Sequence, residues 1–460
     1  MKAVADDRRL ADEARAFLAA APDLRFVDAF LVDLNGVARG KRLPAKSAMK
    51  LFEGGLRLPR SLIGVDIWGT DVFDNGLVVD TGDQDGVCLP LEPGLVPTPW
   101  AKEKTAQVHL MMAEADGGAF LADPRQLLCE MQRRLAAKGL HPVAAIELEF
   151  YLLSGKSDDL GRPLTPASKF SGRRIVDGRV YAMSELDAYA DFFADLYAAC
   201  DAQGLPLDAA VIEAGPSQFE VNLKHQKDVL RAADQSVQLK RAIKGVAAGH
   251  GLLASFMAKP FGDLPGNGMH VHMSMLDDKG ANAFDGDGEK GSRLFLEAIA
   301  GLIETAAEAM IFFAPHFNSW RRFQEGSHAP TRATWGYENR TAAIRIPTDT
   351  GANRRFEHRV AGADANPYLV LAALLAGALH GVEKKLAPPP ALEGNAYKSD
   401  APKLALGWRA ALDAFQAGGV LAPAFGAMVT RVFSALKRQE MATIDRRVTD
   451  VEYDSYLSTF

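Results

Sequence analysis

Carboxylates and imidazoles alternate with apolar residues along several short segments, a pattern suited to holding cations. In VAAIELEFYLL (143–153), a period of two sets Ile146, Leu148 and Phe150 on one face and Glu147 and Glu149 on the other. Two carboxylates side by side repel unless a cation sits between them. In AAVIEAGPSQFEVNL (209–223), two strand arms flank a Gly-Pro turn. Glu213 ends the first arm, and Glu220 shares a face with Gln218 and Asn222 on the second. GMHVHMSM (268–275) aligns His270, His272 and Ser274 opposite Met269, Val271 and Met273. RFEHRV (355–360) aligns Arg355, Glu357 and Arg359. Arg340 and Arg345 lie in ENRTAAIRIP (338–347), and Arg321 and Arg322 in NSWRRF (318–323).

Taken alone, each segment also suits a solvated face or a set of surface salt bridges. Together, Glu147, Glu149, Glu213, Glu220 and Glu357 with one or two histidines could build a site for two hard divalent cations. Oxygen-dominated ligation favours Mg²⁺ or Mn²⁺ over a structural zinc. Arginine's planar fork grips carboxylate and phosphate, and arginines beside such cations suggest phosphoryl transfer. No G-x-x-x-x-G-K-[ST] segment occurs, so a nucleotide would be held by another architecture.

The chain that must position these groups has 460 residues, 48% apolar and 24% charged. That length suggests one large domain plus a smaller one. Gly 41 and Pro 24 exclude collagen-like and low-complexity classes. A net charge of −6 argues against a nucleic-acid footprint. Cys88, Cys129 and Cys200 form no CxxC and leave an odd count, so they read as buried free thiols in a reducing compartment. The N-terminal residues lack the apolar core of a signal peptide, and no run of about 18 apolar residues exists to span a membrane. A cytoplasmic protein is the expectation.

Residues 6–20 read as an amphipathic helix with Leu10, Ala14, Phe17 and Leu18 on one stripe. RFVDAFLVDL (25–34), Asn35-Gly36 and VARGKRLP read as a hairpin. EGGLRLPRSLIGVDIWG (53–69) reads as an ordered surface loop or a loop contributing to a site. A domain boundary is expected near residue 115, giving units 1–115 and 116–460. Asp123-Pro124 opens a helix that Gly139 closes, and Ser184 with Asp187 suggests a capping box for a helix ending near Gly204. The irregular alternation of strands and helices points to an α+β fold.

The motifs IELEFYL, EAGPSQFEVNL, FMAKPFGDLPGNGMHVHMS, ENRTAAIRIP and RRFEHRVAGADANPYL resemble those of the glutamine synthetase family, in order, from about residue 24 to the C-terminus. The resemblance implies a small N-terminal β-grasp domain and a larger catalytic α+β domain. It further implies a homo-oligomer of stacked rings, a dodecamer, with active sites between subunits and the 53–69 loop facing a neighbour. By motif position, Glu149, Glu213 and Glu220 would bind one Mg²⁺ or Mn²⁺, and Glu147, His270 and Glu357 a second. His272, Ser274, Arg345 and Arg355 would sit with ATP. Gly266, Arg322 and Arg359 would hold glutamate, and Arg340 would face the transferred phosphate. The implied chemistry is ligation through a γ-glutamyl phosphate.

Ammonium-using members carry a glutamate in the flap before Ala-Pro, where this chain reads EGSHAP and places His328. Their N-terminal aspartate falls near Pro59, and Pro265 replaces an asparagine. A small cation needs carboxylates to offset its desolvation. Their loss favours a larger primary amine, with His328 as the base. The pattern resembles the γ-glutamylpolyamine synthetase branch, so putrescine or another polyamine is the first expectation. A glutamine synthetase with an altered ammonium site, or a non-catalytic assembly, are the competing readings. Intact metal-ligand positions speak against the last. Tyr397, in a region where some bacterial relatives are adenylylated, reads as an ordinary exposed tyrosine.

Overall fold

A computed structural model describes residues 2–286, 288, 290–404 and 407–460, with side chains from Arg8 onward. The opening helix, Lys2–Ala20, buries Leu10 and Ala14 as its stripe requires. Six strands follow: β1 (Phe26–Val32), β2 (Ala38–Pro44), β3 (Leu56–Pro59), β4 (Asp85–Pro90), β5 (Val96–Pro97) and β6 (Thr105–Ala113). They form a mixed sheet of order β2-β1-β6-β4-β3, with β5 also on β6. β1 and β2 pair antiparallel around the Asn35-Gly36 turn, and Gly36 takes φ +78. β1 and β6 run parallel in the middle, the grasp-type arrangement.

Eight more strands build a second sheet: β7 (His141–Ser154), β8 (Leu207–Ile212), β9 (Gln218–Leu223), β10 (Leu252–Ser255), β11 (Met269–Leu276), β12 (Trp335–Tyr337), β13 (Ile344–Ile346) and β14 (Phe356–His358). The order is β12-β13-β14-β11-β7-β9-β8, with β10 also on β7. The fold is therefore α+β. Ile146, Leu148, Phe150, Phe219, Val221, Met269 and Val271 are buried on one face of this sheet. Helices Pro124–Ala136 and Val229–Gly249 pack against β7 there. The polar alternates are left on the other face.

Asp123 caps its helix, accepting from the backbone N–H groups of Arg125 and Gln126. Four expectations are corrected. The helix expected from Ser184 is two, Met183–Ala188 and Ala190–Gln203, and the first has Ala182 at its N-cap with no side-chain bond. Tyr189 interrupts them because its ring is buried against Phe219 and its hydroxyl donates to Ser217 Oγ. The 53–69 stretch is not wholly a surface loop: Leu58, Ile63 and Val65 are buried, and β3 pairs with β4. Cys88 and Cys200 are buried, but Cys129 is exposed. It points away from the Leu127, Leu128, Met131 and Leu135 side that meets the core. Tyr397 is buried, only 7% exposed, with its hydroxyl donating to the Ala329 carbonyl. Among the described residues no single helix is long and apolar enough to cross a membrane.

Candidate active site

Register brings the polar alternates together. β7 lies between β9 and β11, pairing Glu149 with Glu220 and Glu147 with His270. β11 pairs with β14, setting His272 opposite Glu357, and β13 sets Arg345 opposite Glu357. Glu213 follows β8 and is held by its backbone N–H on the Gln218 carbonyl. Three sets of potential ligand atoms converge: Glu149, Glu213 and Glu220; Glu147, Glu220 and His270; Glu147, His272 and Glu357. His270 Nδ1 lies 3.3 Å from Glu147 and 3.9 Å from both Glu220 and Glu357.

The charges explain what the cluster is fit for. Burial and then the Glu147, Glu149, Glu213 and Glu357 carboxylates push Glu220 up to about 9. Burial and Glu149 push Glu213 up to about 7. Carboxylate repulsion and burial outweigh the nearby His270 and Arg359 at these two groups, and an oxygen and imidazole donor set of this kind fits hard divalent cations. Glu147 and Glu357 are pulled the other way. Burial opposes ionisation of Glu147, but hydrogen bonds from His270 and His272 outweigh it and hold it well below the usual range. Burial likewise raises Glu357, yet Arg359 and the two histidines bring it down to about 2.

Arginines clasp the cluster from one side. Arg345 donates to Glu357 Oε2 at 2.6 Å, and Arg359 pairs with Glu357 Oε1. Arg355 Nε donates to His272 Nδ1 at 3.2 Å, so the remaining proton sits on Nε2, 2.8 Å from Glu147 Oε1. His272 thus orients Glu147 by donating to it. Asn222 Nδ2 donates to the same oxygen at 3.1 Å.

Gly268 carries a steric requirement. A Cβ there would lie 2.8 Å from His270 Nε2, 2.9 Å from Arg322 Nη2 and 3.3 Å from Glu149 Oε1. Its N–H also donates to Glu149 Oε2 at 2.6 Å. Arg322 is therefore beside the cluster, buried, with Nη1 donating to the Val360 carbonyl and Nη2 to that of Arg359. A Cβ on Gly266 would meet Arg322 Cγ at 2.8 Å. A cleft of 640 Å³ opens beside Glu147, His272, Ser274 and Arg355, and Lys224, His225 and Lys227 also line it.

Two expected residues stand apart. Arg340 is exposed and has no hydrogen-bond or ion-pair partner among the described residues. His328 is exposed on the 324–331 flap with φ +59. The sequence reading missed Asn222 as a partner of Glu147, Gly268 as a gap-keeper, Glu338 as a partner of Arg345 and the three basic residues of the cleft. The period of two that placed Glu220 also placed Asn222 on its face, and was the available signal.

The glutamine synthetase catalytic-domain model matches residues 121–456. Gamma-glutamylputrescine synthetase PuuA of Escherichia coli (strain K12) is 39% identical over 443 residues, 96% of this chain and 93% of the relative. Glutamate–isopropylamine ligase of a Pseudomonas species is 35% identical over 399 residues, 85% of this chain and 84% of the relative. A solved GmaS/ADP complex superposes with a TM-score of 0.83 at 30% identity, covering 98% of this chain and 99% of that one.

Proposed function

The chain belongs to the glutamine synthetase family, and from that premise we propose that it joins the γ-carboxylate of glutamate to a primary amine, consuming ATP. The observation that carries this reading is the convergence of five carboxylates, two histidines and three arginines on one sheet face. The amine preference rests on His328 in the flap and on relatives whose names specify putrescine and isopropylamine. Putrescine or another polyamine is the first choice.

Glu149, Glu213 and Glu220 would hold one Mg²⁺ or Mn²⁺, and Glu147, His270 and Glu357 a second. Bound there, the cations neutralise phosphoryl oxygens during transfer. His272, Ser274, Arg345 and Arg355 line the nucleotide side, where they orient ATP. Gly266, Arg322 and Arg359 hold glutamate, and Arg340 meets the transferred phosphate. A glutamate carboxylate oxygen attacks the γ-phosphorus and the bond to ADP breaks, giving γ-glutamyl phosphate. The amine nitrogen then attacks the acyl carbon. The C–O bond to phosphate breaks, and the proton from nitrogen passes to His328. We place the protein in the cytoplasm as a ring-forming homo-oligomer with sites shared between subunits.

The test is mass-spectrometric detection of γ-glutamyl amide with ATP, Mg²⁺, glutamate and each of several amines. Amide from putrescine supports the reading, and product from ammonium alone overturns it.

A further inference from the structure

The flap that carries His328 is held from beneath by a distant segment. Residues 389–404 run alongside 329–341. The Leu392 N–H donates to the Trp335 carbonyl, Ala333 N–H to Pro402 and Leu404 N–H to Thr331, at 2.8, 2.9 and 3.1 Å. The Trp335 indole donates to the Pro389 carbonyl at 2.7 Å. The strap also grips the loop bearing Arg340: Asn339 Nδ2 donates to the Gly394 carbonyl at 2.8 Å, and the Ala396 N–H to Thr341 Oγ1 at 3.0 Å.

One side chain of this strap enters the flap itself. The Tyr397 hydroxyl donates to the Ala329 carbonyl at 3.2 Å, on the residue that follows His328. Ser327 Oγ bonds to the Gln324 carbonyl at 2.6 Å and accepts from the Ala329 N–H at 3.3 Å. His328 between them has φ +59, a conformation a non-glycine residue keeps only when its surroundings impose it. Tyr397 is the buried side chain that pins the next residue, Ala329.

We propose that Tyr397 is a positioning residue for the second half-reaction: its hydroxyl fixes the flap so that His328 receives the proton from the incoming amine. This rests on the ligase reading and on His328 as the base.

The test compares Tyr397→Phe, His328→Ala and the double variant in the full-length protein, using putrescine and hydroxylamine as acceptors. Hydroxylamine is already an unprotonated nucleophile at neutral pH, so hydroxamate formation needs phosphoryl transfer but little help from a base. Y397F keeps the ring and its packing. It should lower kcat/KM for putrescine about fivefold to tenfold, the worth of one neutral hydrogen bond. KM for ATP and hydroxamate formation should stay within about twofold, and Y397F should add nothing in the H328A background. Equal loss with both acceptors, additive losses in the double variant, or unchanged putrescine turnover in either single variant would each overturn the inference. Wild-type protein that makes no amide from any amine would overturn the ligase reading itself, and that result is read before any variant.

Discussion

Replacing Glu220 by glutamine should stabilise the cation-free protein while weakening its function. Glu220 sits on the polar face of β9, and burial with four neighbouring carboxylates raises it to about 9 from an ordinary 4.5. A raised acid favours its protonated form in the fold. Its contribution is therefore harmless below 4.5 and grows more costly as pH climbs toward 9. At about 1.4 kcal/mol per unit, the cost is about 1 kcal/mol at pH 5 and about 5 kcal/mol at pH 8. Local relaxation and water reduce the upper figure to about 2 kcal/mol. In chelator at pH 8, and at matched protein concentration, E220Q should melt about 2–4 °C above wild type. At pH 5 the two should melt within about 1 °C of each other. Millimolar Mg²⁺ should reverse the order at pH 8, because wild type gains more from the cation. Thermal melts followed by circular dichroism read all three conditions. A lower midpoint for E220Q in chelator at pH 8, or a gap independent of pH, would refute the reasoning.

Other perturbations follow from the same geometry. Gly268→Ala places a methyl against His270 and Arg322, so steady-state assays should show kcat/KM falling about a hundredfold, with circular dichroism reporting an intact fold. Asn222→Ala removes one donor from Glu147 and should raise the half-saturating Mg²⁺ concentration about tenfold in activity titrations. Lys437 is fully buried between Asn35 and Glu440. Lys437→Met strands the Glu440 charge and should cost about 3–5 kcal/mol in urea unfolding.

Much of the site was legible because β-strands expose side chains with a fixed period of two. IELEF, QFEVNL and MHVHMSM each placed their apolar residues in the core and their polar ones on one face. Asp123-Pro124 was legible for a local reason too, since an N-cap acts within three residues. What failed depended on distant partners. The Ser184–Asp187 signature gave way to Tyr189, whose ring is held by Phe219 from another strand. Tyr397 looked exposed because GNAYKSD is polar, yet its hydroxyl reaches Ala329, 68 positions away. The His328 and Arg340 loops were recognised by motif, and the strap that joins them has no local signature at all.

The central claim is tested most directly by one competition. Purified protein is given ATP, Mg²⁺ and glutamate with equal concentrations of putrescine, spermidine, ethanolamine, isopropylamine and ammonium, and the γ-glutamyl products are resolved by mass spectrometry. The account predicts that an organic γ-glutamyl amide, putrescine's first, accumulates well ahead of glutamine. Glutamine as the dominant product would contradict it.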